Sequence, residues 1–255
     1  MKKILKRLER ERDIILFLDY DGTIVPILKR PELAKLHPMR RKLLERISRK
    51  IPVAIVSGRS LYDLEKLVKV KGIYLIGNHG LEILFKRGIW VHPYAIRMKK
   101  YIGETLKRIE DRLKNIRGVI VEDKGLSGSI HYRLLNPDKK GTLKSIIEEE
   151  ISKSKGKLKM KKGKKVFEIR LNLNWNKGDG VKKLLSLLNL KNEALKIYIG
   201  DDETDEDAFR VFERGDLTIL VGKKRSSFAK FRLRNVREVW IFLKELLKKM
   251  VRKGI

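Results

Sequence analysis

Ten residues constrain the fold more than any others: Ile14-Ile15-Leu16-Phe17-Leu18-Asp19-Tyr20-Asp21-Gly22-Thr23. Five consecutive apolar side chains run into two carboxylates one residue apart, and a glycine follows. A continuous apolar run bounded by a turn residue is the pattern of a strand buried on both faces of a parallel sheet, and open parallel sheets place their sites beyond the C-terminal ends of such strands. Asp19 and Asp21 then stand at a crevice mouth. The plainer alternative is a strand followed by a solvated Asp-Gly turn. Two carboxylates this close repel each other, so a site holding both contains a cation or keeps one of them protonated. Either arrangement suits phosphoryl transfer, with one carboxylate as nucleophile and the other protonating the leaving oxygen.

Around this stretch the pattern alternates strands and helices. Residues 1–12 read as a basic helix with Ile4, Leu5 and Leu8 on one face. Residues 31–48 read as a helix with Leu33, Leu36, Leu43, Leu44 and Ile47 turned inward. Ile51 to Val56 is the next strand, and it runs directly into Ser57-Gly58-Arg59-Ser60 at the start of another helix. Ser57 there is an anion-binding hydroxyl backed by free amides, or a plain N-cap. A third strand, Ile73 to Ile76, leads into the polar turn Gly77-Asn78-His79-Gly80-Leu81-Glu82, where His79 reads as structural or as a group above the site.

From about Trp90 the character changes. A helix over 94–116, with Ile96, Ile102, Leu106, Ile109 and Leu113 on its apolar side, is followed by two strands (119–124 and 129–134), a helix (138–151) and a hairpin (157–161 and 166–171, hinged at Lys162-Gly163). That order is a compact α+β unit inserted between the halves of a parallel sheet. The sheet pattern resumes with Trp175-Asn176-Lys177-Gly178 ahead of a helix carrying Val181, Leu184, Leu185 and Leu188, then a strand from Leu195 to Ile199. This strand ends in Gly200-Asp201-Asp202-Glu203-Thr204-Asp205-Glu206-Asp207, six acids in seven positions after the glycine. A capping box from Thr204 to Asp207 explains some of those acids, but not why a buried strand again ends in carboxylate. Residues 216–221 read as the last strand and 236–250 as a terminal helix with a basic outer face.

Composition excludes several function classes. There is no cysteine, hence no disulfide framework, thiolate metal site or cysteine nucleophile, which fits a reducing cytoplasm. The basic start carries no signal-peptide pattern, and no run approaches the ~18 apolar residues of a membrane-spanning helix. Sixty-two Lys and Arg against 32 Asp and Glu give a net charge of +30. Such a surface attracts polyanions, yet the charge is scattered and not interleaved with aromatic stacking platforms, so nucleic-acid binding is expected to be at most non-specific. Heavy charge without cysteine is also the composition of thermophilic proteins.

Four core positions therefore converge: Asp19 and Asp21 after the first strand, Ser57 after the second, Lys177 opening a later helix, and Asp201 with Asp205 after a later strand. The segments Asp-Tyr-Asp-Gly-Thr, Ser-Gly-Arg, Asn-Lys-Gly and Gly-Asp-Asp-Glu-Thr-Asp-Glu-Asp-Ala-Phe resemble the four motifs of haloacid dehalogenase-like (HAD) phosphatases in the variant carried by trehalose-6-phosphate phosphatases. The resemblance covers about residues 12–222. Its narrower part rests on Gly77 to Gly80, on Glu122-Asp123-Lys124-Gly125 with His131-Tyr132-Arg133, and on Lys164 to Arg170 with Glu168. Two positions depart from the family pattern: Leu171 stands where a proline commonly follows, and Asp179-Gly180 where small apolar residues are usual.

The resemblance implies an α/β fold, a Rossmann-like parallel-sheet HAD core over residues 1–92 and 173–255 with an inserted α+β cap domain over 93–172. It implies that Asp19 attacks phosphorus and becomes an aspartyl phosphate, while Asp21 protonates the departing sugar oxygen and then activates water. Mg²⁺ would be held by Asp19, the backbone carbonyl of Asp21 and Asp201, with Asp205 as a ligand through water or a positioning group. Ser57 and Lys177 would hold the phosphoryl oxygens, with Arg59, Asn78 and His79 on the substrate nearby. Glu122, Lys124, Arg133, Lys164 and Glu168 match the sugar-contacting positions of the cap, and mixed acids and bases suit a polyhydroxyl ligand. The implied reaction is hydrolysis of trehalose 6-phosphate. Another glycosyl phosphate, such as sucrose phosphate or a glycosylglycerate phosphate, is the sibling alternative, and a polyanion-binding protein on the same scaffold is the alternative of a different class.

Overall fold

The computed structural model describes residues 1–8, 13–28, 30–163, 165–189, 194–223 and 226–254. In chain order these form α1 (Lys2–Arg7), β1 (Ile14–Asp19), α2 (Pro38–Ser48), β2 (Val53–Val56), α3 (Leu61–Val68), β3 (Tyr74–Gly77), β4 (Glu82–Phe85) and β5 (Gly88–Val91). Next come α4 (Pro93–Leu113), β6 (Ile120–Asp123), β7 (Gly128–His131), α5 (Lys140–Ser152), β8 (Leu158–Gly163) and β9 (Val166–Leu171). The chain then adds α6 (Lys177–Leu188), β10 (Leu195–Gly200), α7 (Glu203–Val211), β11 (Leu217–Val221), β12 (Phe231–Leu233) and α8 (Val236–Arg252). Two compact units result, one of Met1–Trp90 with Trp175–Ile255, the other of Val91–Asn174.

The first unit is built on an eight-stranded sheet of order β12-β11-β10-β1-β2-β3-β4-β5. Strands β12 through β3 run parallel, and β4 lies antiparallel to β3. From β1 the chain moves outward through β2 and β3 on one side, and later through β10, β11 and β12 on the other. The strand order therefore reverses around β1, and the ends of β1, β2 and β10 meet at the point where such sheets carry their ligands. All six residues of β1 are buried because helices cover both faces. Leu16 and Leu18 join a cluster with Leu44, Ile47, Leu64, Phe242 and Leu246 of α2, α3 and α8. Ile15 and Phe17 join another with Val181, Leu184, Ala208 and Phe209 of α6 and α7. Ile4 and Leu8 belong to the first cluster, so α1 packs on the core as its apolar stripe implies.

The second unit has a four-stranded antiparallel sheet, β6-β7-β9-β8. Along β9 burial alternates, with Phe167, Ile169 and Leu171 inside and Val166, Glu168 and Arg170 less buried. That is the period-two signature of a sheet with one covered face. The register aligns Glu122, Ser129, Glu168 and Lys161 as a row across all four strands, on the face opposite Phe167 and Ile169.

Four expectations require correction. The single helix over 31–48 is a short 3₁₀ turn at Pro31–Leu33 followed by α2, and Leu33 is exposed. Pro38 sits at the first turn of α2, where its missing N–H costs nothing, and it holds His37 in extended backbone, so no helix can run through. Ile96 is exposed, since the buried face of α4 runs through Ala95, Met98, Ile102, Leu106, Ile109 and Leu113 instead. Strands β4 and β5 extend the sheet over a stretch where the sequence pattern indicates no strand. Leu217–Val221 is followed by one more strand, β12, so it is not the last.

Candidate active site

Asp19 closes β1 and is buried. The loop beyond it turns tightly: Gly22 donates to the Val25 carbonyl at 2.7 Å, and Ile24 and Val25 both donate to the Tyr20 carbonyl. Gly22 adopts φ +89°, and a Cβ there would lie 2.2 Å from an Asp201 carboxylate oxygen. Any side chain at this position would therefore strain the turn and displace Asp201.

Lys177 is the first residue of α6 and is buried. A cation at a helix N-terminus opposes the helix dipole and an ammonium out of water is costly, so nothing in the fold favours this lysine except its partners. Its Nζ donates to Asp19 Oδ1 at 2.7 Å and to Asp205 Oδ1 at 2.8 Å. The helix start is fixed by a capping box: Asn176 Oδ1 accepts from the amides of Gly178 and Asp179, and the Asp179 carboxylate accepts from the Asn176 amide at 3.0 Å. Asp179, a departure from the family pattern, is thus a cap that steadies the turn presenting Lys177.

Asp205, in the first turn of α7, is fully buried and accepts four hydrogen bonds. Lys177 Nζ and the Tyr198 hydroxyl (2.8 Å) reach Oδ1, and the amides of Asp201 (2.9 Å) and Asp202 (3.1 Å) reach Oδ2. The capping box of this helix runs from Asp202 to Asp205, displaced from the expected Thr204–Asp207 pair. Asp19 differs sharply from Asp205: its Oδ2 is buried and has no hydrogen-bond partner among the described residues.

Burial, with Asp205 adding to it, pushes the Asp19 carboxyl well above the usual carboxylate range against the pull of Lys177. Burial also raises Asp205, again opposed by Lys177. For Lys177 burial acts downward, but Asp19 and Asp205 outweigh it and hold the ammonium well above its ordinary value. Oxygens of Asp19, Asp201 and Asp205 come within 4.8 Å of one another. Three carboxylates around one ammonium leave two negative charges when all are ionised, and one oxygen lacks a partner among the described residues. This donor set fits a hard divalent cation, which would supply the missing positive charge.

The β2 end borders the same place, since Asp19 and Val56 are register partners and Ser57 follows Val56. Ser57 is buried and is not an N-cap. Ser60 caps α3, its Oγ accepting from the Asp63 amide, while Ser57 Oγ accepts from the Arg59 amide at 3.1 Å. Arg59 grips Asp21 with two bonds, Nε to Oδ2 at 2.6 Å and Nη2 to Oδ1 at 2.7 Å, and its guanidinium lies 5.5 Å from the centre of the Tyr20 ring.

The 77–82 loop is tied to this segment. Asn78 donates its amide to the Arg59 carbonyl at 2.7 Å, and Glu82 Oε1 accepts from both the Asn78 side chain (2.6 Å) and the Leu61 amide (2.8 Å). Asn78 is buried, so it shapes the loop. His79 lies over Gly58, where a Cβ would meet its ring at 2.4 Å; that glycine admits the imidazole. Trp175 Nε1 donates to the Gly80 carbonyl at 2.9 Å and fastens the loop to the start of α6.

In the second unit, Glu122 pairs with His131 at 2.8 Å, and Glu168 pairs with Arg170. Lys124 sits in the β6–β7 turn, with its amide on the Ser127 carbonyl. Arg133 is exposed in the turn after β7. Lys164 lies outside the described residues. The sheet thus brings Glu122 and Glu168 into one row and leaves Lys124 and Arg133 in flanking turns.

Sequence reasoning missed Tyr198, and it placed His131 and Arg170 within the family motifs without giving either a role. A tyrosine among the buried aliphatic residues of β10 was the signal for the first. For the others it was the spacing that puts His131 diagonal to Glu122, and Arg170 two residues from Glu168, on one sheet face.

A family model described as trehalose-phosphatase matches residues 17–236. The probable trehalose-phosphate phosphatase D of Arabidopsis thaliana is 33% identical over 251 residues, covering 92% of this chain and 68% of that protein. Among solved structures, one described as a trehalose-6-phosphate phosphatase related protein superposes with a TM-score of 0.84 at 28% identity, covering 94% of this chain and 99% of that one. The C-terminal domain of the C. albicans trehalose-6-phosphate phosphatase superposes with a TM-score of 0.76 at 22% identity, covering 98% and 96%, a likeness of fold.

Proposed function

Because the chain belongs to the trehalose-phosphatase family, HAD-fold phosphoric monoester hydrolases, we propose that it hydrolyses trehalose 6-phosphate to trehalose and phosphate with Mg²⁺ and a covalent intermediate on Asp19. The observation that carries the reading is Lys177, a buried cation at a helix N-terminus whose described side-chain partners are the carboxylates of Asp19 and Asp205.

In this reading Asp19 attacks phosphorus, the bond from phosphorus to the sugar oxygen breaks, and Asp21 gives that oxygen its proton. Asp21 then takes a proton from water as the water oxygen attacks the aspartyl phosphate, which releases phosphate and restores Asp19. Lys177 stands beside the nucleophile and offsets repulsion between it and an anionic substrate. Ser57 supplies a hydroxyl and neighbouring amides to the phosphoryl oxygens. Mg²⁺, held by Asp19, Asp201 and the Asp21 carbonyl, would neutralise charge on the transferring group. Both Asp205 oxygens are already occupied by donors, which supports a positioning role over direct ligation. Arg59 holds both Asp21 oxygens, so proton delivery requires that pair to open, and its grip on Asp21 competes with any contact between Arg59 and substrate phosphate.

We assign the unit around residues 93–172 the role of a cap for the sugar. The acid–base pairs Glu122–His131 and Glu168–Arg170 support this, because charged groups bind hydroxyls strongly. Lys124, Arg133 and Lys164 complete the proposed set, and the absence of cysteine supports a cytoplasmic setting. The decisive experiment is phosphate release with Mg²⁺ and then EDTA, offering trehalose 6-phosphate, sucrose 6-phosphate, glucose 6-phosphate and p-nitrophenyl phosphate. Selective, EDTA-sensitive turnover of trehalose 6-phosphate is expected. Turnover of p-nitrophenyl phosphate alone would leave the Asp19 chemistry standing and remove the substrate assignment.

A further inference from the structure

We infer that Tyr198 is a positioning residue of this active site: its hydroxyl, donated to Asp205 Oδ1 at 2.8 Å, aims the carboxylate that holds Lys177 against Asp19. The inference rests on the proposed function and extends it to a residue no motif contains.

Tyr198 is fully buried in β10, in register with Phe17 of β1. Its ring stacks near Phe17 at 6.4 Å and meets the edges of Phe209 and Phe212 at 5.6 and 5.7 Å. A phenylalanine would fill that space as well, so packing alone gives no reason for a hydroxyl. A buried hydroxyl is tolerated only where it is bonded, and this one is bonded to a residue of the catalytic cluster.

Four elements are joined in line: Tyr198 from β10, Asp205 from α7, Lys177 from α6 and Asp19 from β1. The two amides on Asp205 Oδ2 fix one end of the carboxylate. The other end is placed between two donors, and the tyrosine is the one that does not touch Asp19. Without it, Oδ1 is free to follow Lys177, and the lysine loses the fixed point that divides it between two acids. Networks of this kind set the geometry of reacting groups, and losing an outer member typically reduces activity about 10–100-fold.

The test is Tyr198→Phe, alone and combined with Asp205→Asn, assayed for phosphate release from trehalose 6-phosphate, with circular dichroism to confirm folding. The expected result is a kcat about 10–100-fold lower with KM within about twofold, and no further loss when Tyr198→Phe is added to Asp205→Asn. A kcat unchanged by Tyr198→Phe in an active wild type overturns the positioning role alone. So does a fully additive loss in the double variant, or a Tyr198→Phe chain that does not fold, since the hydroxyl would then serve the fold. A wild-type enzyme that releases no phosphate overturns the functional reading and this inference together.

Discussion

Each of the two units buries a cluster of charges, and the clusters are built in opposite ways. In the second unit the buried acid Glu150, 2% exposed at its side chain, is met by three cations, Arg108 at 3.2 Å, Arg112 at 3.1 Å and Lys153 at 2.6 Å, and Arg112 also holds the exposed Glu149 at 2.6 Å. Burial would raise its carboxyl, but Lys153, Arg112 and Arg108 together hold it below the usual carboxylate value. That cluster is complete, and it joins α4 to α5. In the first unit one cation, Lys177, is shared by two acids while a third stands close, and Asp19 keeps a buried oxygen without a partner among the described residues. An incomplete buried cluster costs stability, so an unpartnered carboxylate oxygen beside a shared ammonium, at the point where the strand order reverses, marks a place where something else can bind. Completeness separates a structural ion cluster from a catalytic one more sharply than burial does.

The largest effect expected from breaking this contrast is at Asp19. Asp19→Asn removes the nucleophile and one of the clustered negative charges, so phosphate release should fall by about 10⁴-fold or more. The melting temperature should not drop, because the amide removes a carboxyl that burial already disfavours as an anion. Full turnover by this variant would dismiss Asp19 as the nucleophile, and a large loss of stability would show that the cluster serves the fold. Next comes Lys177→Met, which conserves length and leaves Asp19 and Asp205 facing each other. Activity should fall by about 10²–10³-fold and stability by about 3 kcal/mol, read by urea denaturation.

These two residues differ in how legible they are in the sequence. Asp19 follows five apolar residues, and the pattern of a strand covered on both faces is strong enough to place its end. Lys177 was visible only through Asn176 and Gly178 around it, because lysine is abundant along the chain. What the sequence hid was of two kinds. Strands β4 and β5 continue the edge of a sheet already begun, with short and partly exposed residues whose local pattern is weak. The break before α2 was written plainly in Pro38, but the spacing of Leu33 and Leu36 mimicked a helical stripe across it. Partners such as Tyr198 with Asp205 depend on tertiary approach, which no local period encodes.

A smaller effect is expected at the complete cluster. Glu150→Gln keeps the shape and removes the charge, leaving Arg108 and Lys153 without their described carboxylate and Arg112 with Glu149 alone. A wholly buried pair broken this way loses about 3–5 kcal/mol, but Arg108, Arg112 and Lys153 are 42%, 37% and 58% exposed, so a loss of about 2 kcal/mol is expected. The kcat should stay within about twofold of wild type, in contrast to Lys177→Met. The pH dependence carries the same sign. Because the folded carboxyl is held below its unfolded value, its contribution is present above that value and is lost as pH falls through the depressed one. Urea midpoints measured from neutral pH downward should therefore decline more steeply below about pH 4.5 in the wild type than in Glu150→Gln.

The smallest effect probes how the incomplete cluster is held open. Lys177 stands at the dipole's unfavourable end, and the capping box of Asn176 and Asp179 fixes the turn that presents it. Asn176→Ala removes the acceptor for two helix amides and should cost about 1 kcal/mol of stability. If the cap only closed a helix, activity would be unchanged. If it aims Lys177, kcat should fall several-fold with KM nearly constant, while Asn176→Asp, which keeps an acceptor in place, should restore both stability and turnover. A cap variant that loses stability yet keeps full activity would show that Asp19 and Asp205 alone suffice to place the lysine.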